Sequence, residues 1–317
     1  MFRIGIWIMK NLINLKDWSR RQVLDVLELA AMIKARPQNY THIMDGKTLL
    51  MIFEKPSLRT RISFETGTFH LGGSAIYYDM STSPMGAGKE TISDTVKVIS
   101  RFNDLIMARL FKHSDIEEMV AYADIPVINA LTDYSHPCQI LADLQTIAEK
   151  KGGLKGLKLA YLGDANNNVT HSLLFGCAHV GMNVSIGCPD NDDLRVRDTV
   201  LKDAGIIARE TGANITVEFD AHRAVKDADV VYTDSWMSYH IPKDQQESRV
   251  ALLKPYQVNS DLMSSAAPDA IFMNCLPAMR GFEQTAEVID GPQSVVFDEA
   301  ENRLHAQKAV MVTLLQP

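Results

Sequence analysis

The chain has 317 residues, 46% apolar and 22% charged, and Lys+Arg 32 against Asp+Glu 39 leaves a net charge of −7. That length suggests roughly two domains. The apolar share excludes a disordered chain, and the acidic balance disfavours a nucleic-acid binder working by bulk charge. No uncharged apolar run is long enough to span a bilayer. Residues 1–9 are too short for a secretory signal, and Met9-Lys10 reads as a plausible start, with residues 1–8 an extension. The cysteines Cys138, Cys177, Cys188 and Cys275 show no CxxC spacing and read as free thiols of a reducing, cytoplasmic compartment.

Strand-like apolar runs alternate with helix-length amphipathic stretches. In chain order the pattern predicts a helix over 17–36, a strand over 48–53, a helix over 59–71, a strand over 74–78 and a helix over 90–102. Strands over 105–110 and 125–130 and a helix over 137–151 complete the first half. The second half offers strands over 157–162, 182–187, 215–219, 229–233, 270–273 and 294–297, then a helical stretch over 304–315. Continuous apolar runs imply strands covered on both faces, and their alternation with helices implies parallel sheets. The expected fold is α/β, two doubly wound parallel-sheet domains. The Gly- and Lys-rich segment 150–156 sets the expected boundary: a domain over 1–150 and another over 151–303, with 304–317 packing back on the first.

The chemistry gathers where strands end. After the first strand, Pro56 and Ser57 mark a turn and a helix cap. The N–H groups of Leu58, Arg59 and Thr60, two hydroxyls and a guanidinium there suit a phosphate; a capped helix with surface arginines is the alternative. His136-Pro137-Cys138-Gln139 opens a helix after the 125–130 strand. His and Gln there can both donate to one carbonyl oxygen, or His136 is simply a loop histidine before a helix-opening proline. Asn274-Cys275-Leu276-Pro277 follows the 270–273 strand and offers a thiolate candidate or a buried inert cysteine. Arg109, the 163–168 segment, Asp234 with Ser238, and the 298–303 segment ending in Arg303 also sit at strand ends.

Ser57-Leu58-Arg59-Thr60-Arg61 resembles the Ser-x-Arg-Thr-Arg phosphate motif of the aspartate and ornithine carbamoyltransferases. His136–Gln139 resembles their His-Pro-x-Gln motif, and Cys275-Leu276-Pro277 and Asp298–Arg303 resemble blocks of the ornithine branch. The resemblance runs from about Asn11 to Leu315. It implies a carbamoyl-phosphate domain and an amino-acid domain joined by interdomain helices, in a homotrimer with sites at subunit interfaces. It implies carbamoyl transfer from carbamoyl phosphate to L-ornithine, giving L-citrulline and phosphate, with no metal or organic cofactor and no nucleic-acid or membrane partner. Ser57, Leu58, Arg59, Thr60 and Arg109 would hold the phosphate, and His136, Gln139 and Arg303 would polarise the carbonyl. Cys275 and Leu276 would border the carbamoyl group, and Asn168, Asp234, Ser238 and Tyr239 would read ornithine.

The chain departs from the family at three places. Tyr239-His240 stands for Met-Gly after Ser238, the 83–90 loop lacks the Gln a neighbouring subunit usually lends, and Asn274 stands where the family has His. Asn does not titrate but can keep a hydrogen bond that orients the Cys275 loop or the substrate, so the expectation is an active enzyme with a pH–rate profile without a His-like step, which Asn274→His would introduce within about pH 6–8. A carbamoyltransferase for putrescine or a modified ornithine, and a weakly active regulatory paralogue, are the alternatives. A nicotinamide dehydrogenase is disfavoured because no GxGxxG follows a strand.

Overall fold

The computed structural model describes residues 10–237, 242, 244 and 246–316. The chain divides into two compact units, one running up to Gln145 and resuming at Asn302, the other Thr146–Glu301.

The first unit opens on helix α1 (Arg20–Ala35). Ser19 caps it: the hydroxyl accepts from Gln22 N while the Gln22 side chain accepts from Ser19 N. Its helical start therefore lies three residues inside the expected 17–36 stretch. Strands β1 (Thr48–Phe53), β2 (Ser74–Asp79), β3 (Leu105–Arg109) and β4 (Val127–Leu131) alternate with α2 (Leu58–His70), α3 (Ile92–Ile99) and α4 (His113–Tyr122), and α5 (Pro137–Lys151) follows. All pairings are parallel, in the order β2-β1-β3-β4. The chain leaves β1 toward one side and returns on the other, so the strand order reverses between β1 and β3, whose last residues Phe53 and Arg109 are register partners. The carboxyl end of such a reversal is where α/β sheets bind ligands. Helix α3 is shorter than the expected 90–102 stretch because Thr91 caps it, accepting from Asp94 N.

In the second unit β5 (Lys158–Leu162), β6 (Asn183–Gly187), β7 (Ile215–Glu218), β8 (Val230–Thr233) and β9 (Ile271–Met273) form a parallel sheet in the order β7-β6-β5-β8-β9. Helices α6 (Asn168–Val180), α7 (Asp198–Thr211), α8 (Ala221–Val225), α9 (Gln246–Leu253), α10 (Ser260–Ser264) and α11 (Ala286–Ile289) connect them. Here the order reverses between β5 and β8, where Leu162 pairs with Thr233. Helix α12 (Val296–Leu315) ends the described chain. Helices α5 and α12 each run across the border between the units.

The parallel α/β architecture is as the sequence implies; the strand expected over 294–297 is not. Ser294 makes an isolated bridge to Phe272, and Val296 already begins α12. Two valines mimic a strand, but Asp298 and Glu299 fall in the first turn, where carboxylates stabilise a helix start. Among the described residues, no helix is long and apolar enough to cross a membrane.

Candidate active site

In the first unit the site grows from the β1–α2 turn. Ser57 is the N-cap of α2, its hydroxyl accepting from Thr60 N at 3.3 Å. The first N–H groups of a helix have no intrahelical acceptor and carry the positive end of its dipole, so Leu58 and Arg59 present donors. Arg59 is half-buried, and its side chain pairs with no carboxylate among the described residues. Ser63 donates to the Arg59 carbonyl at 2.5 Å, which holds the turn.

Arg303, on α12, is 2% exposed and is the hub beneath that turn. Its Nη1 donates to Gln139 Oε1 at 2.6 Å and its Nη2 to Thr60 Oγ1 at 3.3 Å. Gln139 in turn donates to Asp143 at 2.8 Å. With the Gln307 amide oriented to satisfy both neighbours, its oxygen accepts from Arg303 Nη2 and Nε and its nitrogen donates to Ser63. One guanidinium thus ties α2 and α5 to α12.

His136, just before α5, is buried. Burial, then Arg303, Arg109, Lys55 and Arg59, hold its pKa well below the usual histidine range. It is a neutral imidazole at every pH near 7, a hydrogen-bond donor rather than a charge. Cys138, two positions on, donates to the Asn129 carbonyl at 3.4 Å, and burial pushes its thiol up to about 12, so it is inert. Lys55 had not been singled out in the sequence. Burial and then Arg109 push its pKa down to about 8, against the pull of Asp133 and Glu54, and its ammonium lies 4.7 Å from the centre of the Phe111 ring. Its position two residues after β1, at the turn into α2, was the available signal.

The second unit gathers carboxylates and a thiol at its own strand reversal. Asp234 follows β8, and Cys275 Sγ donates to its Oδ1 at 3.1 Å. Part of Asp234 reaches solvent, yet protein packs round it densely enough that desolvation raises its pKa to about 6, against hydrogen bonds from Cys275 and Ser235. Asn167 caps α6, accepting from Thr170 N at 2.8 Å, and places Asn168 in the first turn. Tyr161 donates to the Asp164 carbonyl at 2.8 Å and accepts from Asn167. Burial, then Asp234 and Asp164, hold it protonated. Leu276 follows Cys275 with φ +56. Ser238 and Tyr239 lie outside the described residues.

Two further groups carry no local signal in the chain. Arg249 on α9 pairs with the Asp164 carboxylate and donates to the Trp236 carbonyl at 2.7 Å. Glu283, fully buried, accepts from Trp236 N and Met279 N, both at 3.0 Å. Both support the backbone just after β8.

A cation-rich helix start in one unit and a carboxylate–thiol pair in the other equip the chain to hold an anionic donor and an amino-bearing acceptor. That is the equipment of a group transferase. The sequence profile of the carbamoyl-phosphate-binding domain of aspartate/ornithine carbamoyltransferases matches residues 10–149, and that of their Asp/Orn-binding domain matches 155–314. A protein of Methanothermobacter thermautotrophicus named ornithine carbamoyltransferase is 51% identical over 97% of this chain and 99% of its own. One of Pyrococcus furiosus named ornithine carbamoyltransferase, anabolic, is 46% identical over 96% of each. The solved structure of ornithine carbamoyltransferase from Pyrococcus furiosus aligns with a TM-score of 0.91 at 47% identity, covering 96% of this chain and 97% of that one. The chain belongs to the aspartate/ornithine carbamoyltransferase family, with the ornithine carbamoyltransferases as its near relatives.

Proposed function

We infer that this protein transfers the carbamoyl group of carbamoyl phosphate to the side-chain amine of L-ornithine, giving L-citrulline and phosphate. Beyond the family itself, one observation carries the choice of acceptor: the Asp234 carboxylate, hydrogen-bonded by Cys275 and ringed by further acids, faces an α-ammonium well and a dicarboxylate such as aspartate badly. In this reading Ser57, Leu58, Arg59, Thr60 and Arg109 hold the phosphate. Neutral His136 donates to the carbamoyl oxygen, and Arg303 adds positive charge beside it. Gln139 orients Arg303, and Cys275 and Leu276 border the carbamoyl group. Asn168, Asp234, Ser238 and Tyr239 orient the amino acid. The neutral amine attacks the carbamoyl carbon, a C–N bond forms, and the bond from that carbon to the bridging oxygen breaks, the oxygen leaving as part of phosphate. The attacking nitrogen loses one proton, which the departing phosphate takes. Orientation of two bound substrates supplies much of the rate.

A colorimetric assay of citrulline, run with ornithine and with putrescine, tests the reading. Ornithine is the expected acceptor; faster carbamoylation of putrescine, or no product from either amine, overturns it.

Two pH effects follow. Asp234 must be ionised to attract the α-ammonium, so the ornithine KM is expected to rise as pH falls through about 6. Asp234→Asn should raise that KM by about tenfold or more at neutral pH, remove the limb near 6, and leave the carbamoyl-phosphate KM nearly unchanged. Steady-state KM values for both substrates across pH check this. Lys55, whose charge is felt by Arg109 and His136, adds positive charge beside the phosphate-holding groups and acts in the opposite sense. It loses its charge as pH rises through about 8, so the carbamoyl-phosphate KM is expected to climb there. Lys55→Met should give a higher KM that is flat over the same range.

The reading extends to assembly and setting. Helix α2 exposes Leu58, Ile62 and Phe69 at helical spacing, Phe69 by 78%, and the edge strand β2 exposes Ile76. An apolar face of that kind favours self-association, in support of a homotrimer, which light scattering would register as three chain masses. A cytoplasmic setting and the biosynthetic direction, toward arginine, complete the proposal. The first is supported by free cysteines among the described residues and the second by the anabolic relative.

A further inference from the structure

Leu276 adopts a left-handed backbone that residues with side chains seldom adopt. Asn274, fully buried after β9, grips it: Oδ1 accepts from Leu276 N at 2.8 Å, and Nδ2 donates to Gln284 Oε1 at 3.2 Å. The Asn274 backbone N–H donates to Glu299 Oε2 at 3.1 Å, and the other oxygen of that carboxylate accepts from Tyr232. So both functions of the Asn274 amide and its own N–H are engaged. Gln284 is also fully buried, and its Nε2 makes no hydrogen bond among the described residues. The hydrogen bond of that side chain is therefore the one to Asn274. A buried amide costs free energy unless it is paired, and Asn274 supplies the one side-chain hydrogen bond Gln284 makes among the described residues. The Gln284 backbone carbonyl meanwhile accepts from Gly281 N at 2.8 Å, which anchors the residue in its own turn.

We propose that Asn274 and Gln284 form one positioning pair that locks the Cys275–Leu276 turn and so aims the Cys275 thiol at Asp234, tuning acceptor binding. The proposal rests on the ornithine reading above only for what Asp234 binds. Neither amide touches a reacting atom; both act through Cys275. The expectation that Asn274→His adds a titrating step then gives way. An imidazole reaches further than a carboxamide and runs into Gln284 Oε1, so that change disturbs the turn unless position 284 is shortened.

The test uses the full-length enzyme with two readouts: KM for each substrate, and the rate at which iodoacetamide alkylates Cys275, followed by peptide mass spectrometry. Gln284→Met keeps size and removes the acceptor. It is expected to raise the ornithine KM about tenfold, keep the carbamoyl-phosphate KM within about twofold and speed alkylation severalfold. Asn274→Ala should do the same, and the double variant should be no worse than the worse single, as for residues acting as a unit. Asn274→His should show the same split, and adding Gln284→Ala should restore it. Fold-changes that multiply in the double variant, both KM values moving together, or an unchanged alkylation rate would each overturn the pair. Alkylation needs no turnover, so a chain inactive toward ornithine would defeat the acceptor reading while still deciding on the pair.

Discussion

Arg303→Ala is expected to cost both stability and activity, and by more than any other single change at the site. The guanidinium is buried and serves Gln139, Thr60 and Gln307 at once. Removing it takes a charged donor from three buried acceptors and leaves a void among α2, α5 and α12. Unmade hydrogen bonds to a charged group, plus the void, amount to a loss on the order of 3 kcal/mol. In thermal unfolding that is a fall in Tm of several degrees. Turnover should drop by at least about a hundredfold, because the charge beside the carbamoyl oxygen goes with it. Arg303→Lys separates the two effects. Lysine keeps the charge but lacks the planar fork that reaches two partners at once. It should recover part of the Tm while kcat stays low. An alanine variant with native Tm and kcat would show that α12 is held without this contact and that carbonyl polarisation comes from elsewhere.

The contrast between what was and was not legible follows from how each residue is placed. Ser57, Arg59, His136 and Asp234 stand in the turns and helix starts that follow strands, and a parallel sheet delivers such residues to one edge whatever the details of packing. Which edge positions matter depends on where the strand order reverses, and the two reversals, β1 against β3 and β5 against β8, are properties of the folded sheets. Arg303 was legible as a motif residue, but its partners lie 164 and 243 positions away, which no local pattern announces. Arg249 and Asp164 are 85 positions apart and gave no signal as a pair. Asn274 was legible as a side chain that no longer titrates yet can hold the Cys275 loop by a hydrogen bond, but not with which partner. Its role as a turn-holding amide depends on Gln284, ten positions on, which nothing in the chain marks as special. The 294–297 segment failed for the opposite reason. Its valines carry a strand-like local preference, and the carboxylates that favour a helix start, Asp298 and Glu299, lie just beyond them in the first turn.

Arg59→Ala is expected to weaken capture of carbamoyl phosphate more than any other change in the β1–α2 turn. Arg59 is a half-buried cation without a protein counter-charge among the described residues, beside a helix start whose donors are already oriented. An anion arriving there finds a fork matched to phosphate oxygens at little cost in reorganisation. Hydrogen bonds to charged groups are worth about 1.5–3 kcal/mol. A loss of about 2 kcal/mol corresponds to roughly a thirtyfold fall in kcat/KM for carbamoyl phosphate. The ornithine KM at saturating carbamoyl phosphate should move far less, because that substrate is read by Asp234. Stability should hardly change, since no carboxylate loses its partner. Inorganic phosphate, used as a competitive inhibitor, isolates the contact from the chemistry. Its inhibition constant should rise by a similar factor in Arg59→Ala and only partly recover in Arg59→Lys, which restores charge without the fork. Equal inhibition of the natural and alanine proteins by phosphate would remove Arg59 from the phosphate site and leave its binding to the helix start, Arg109 and Lys55.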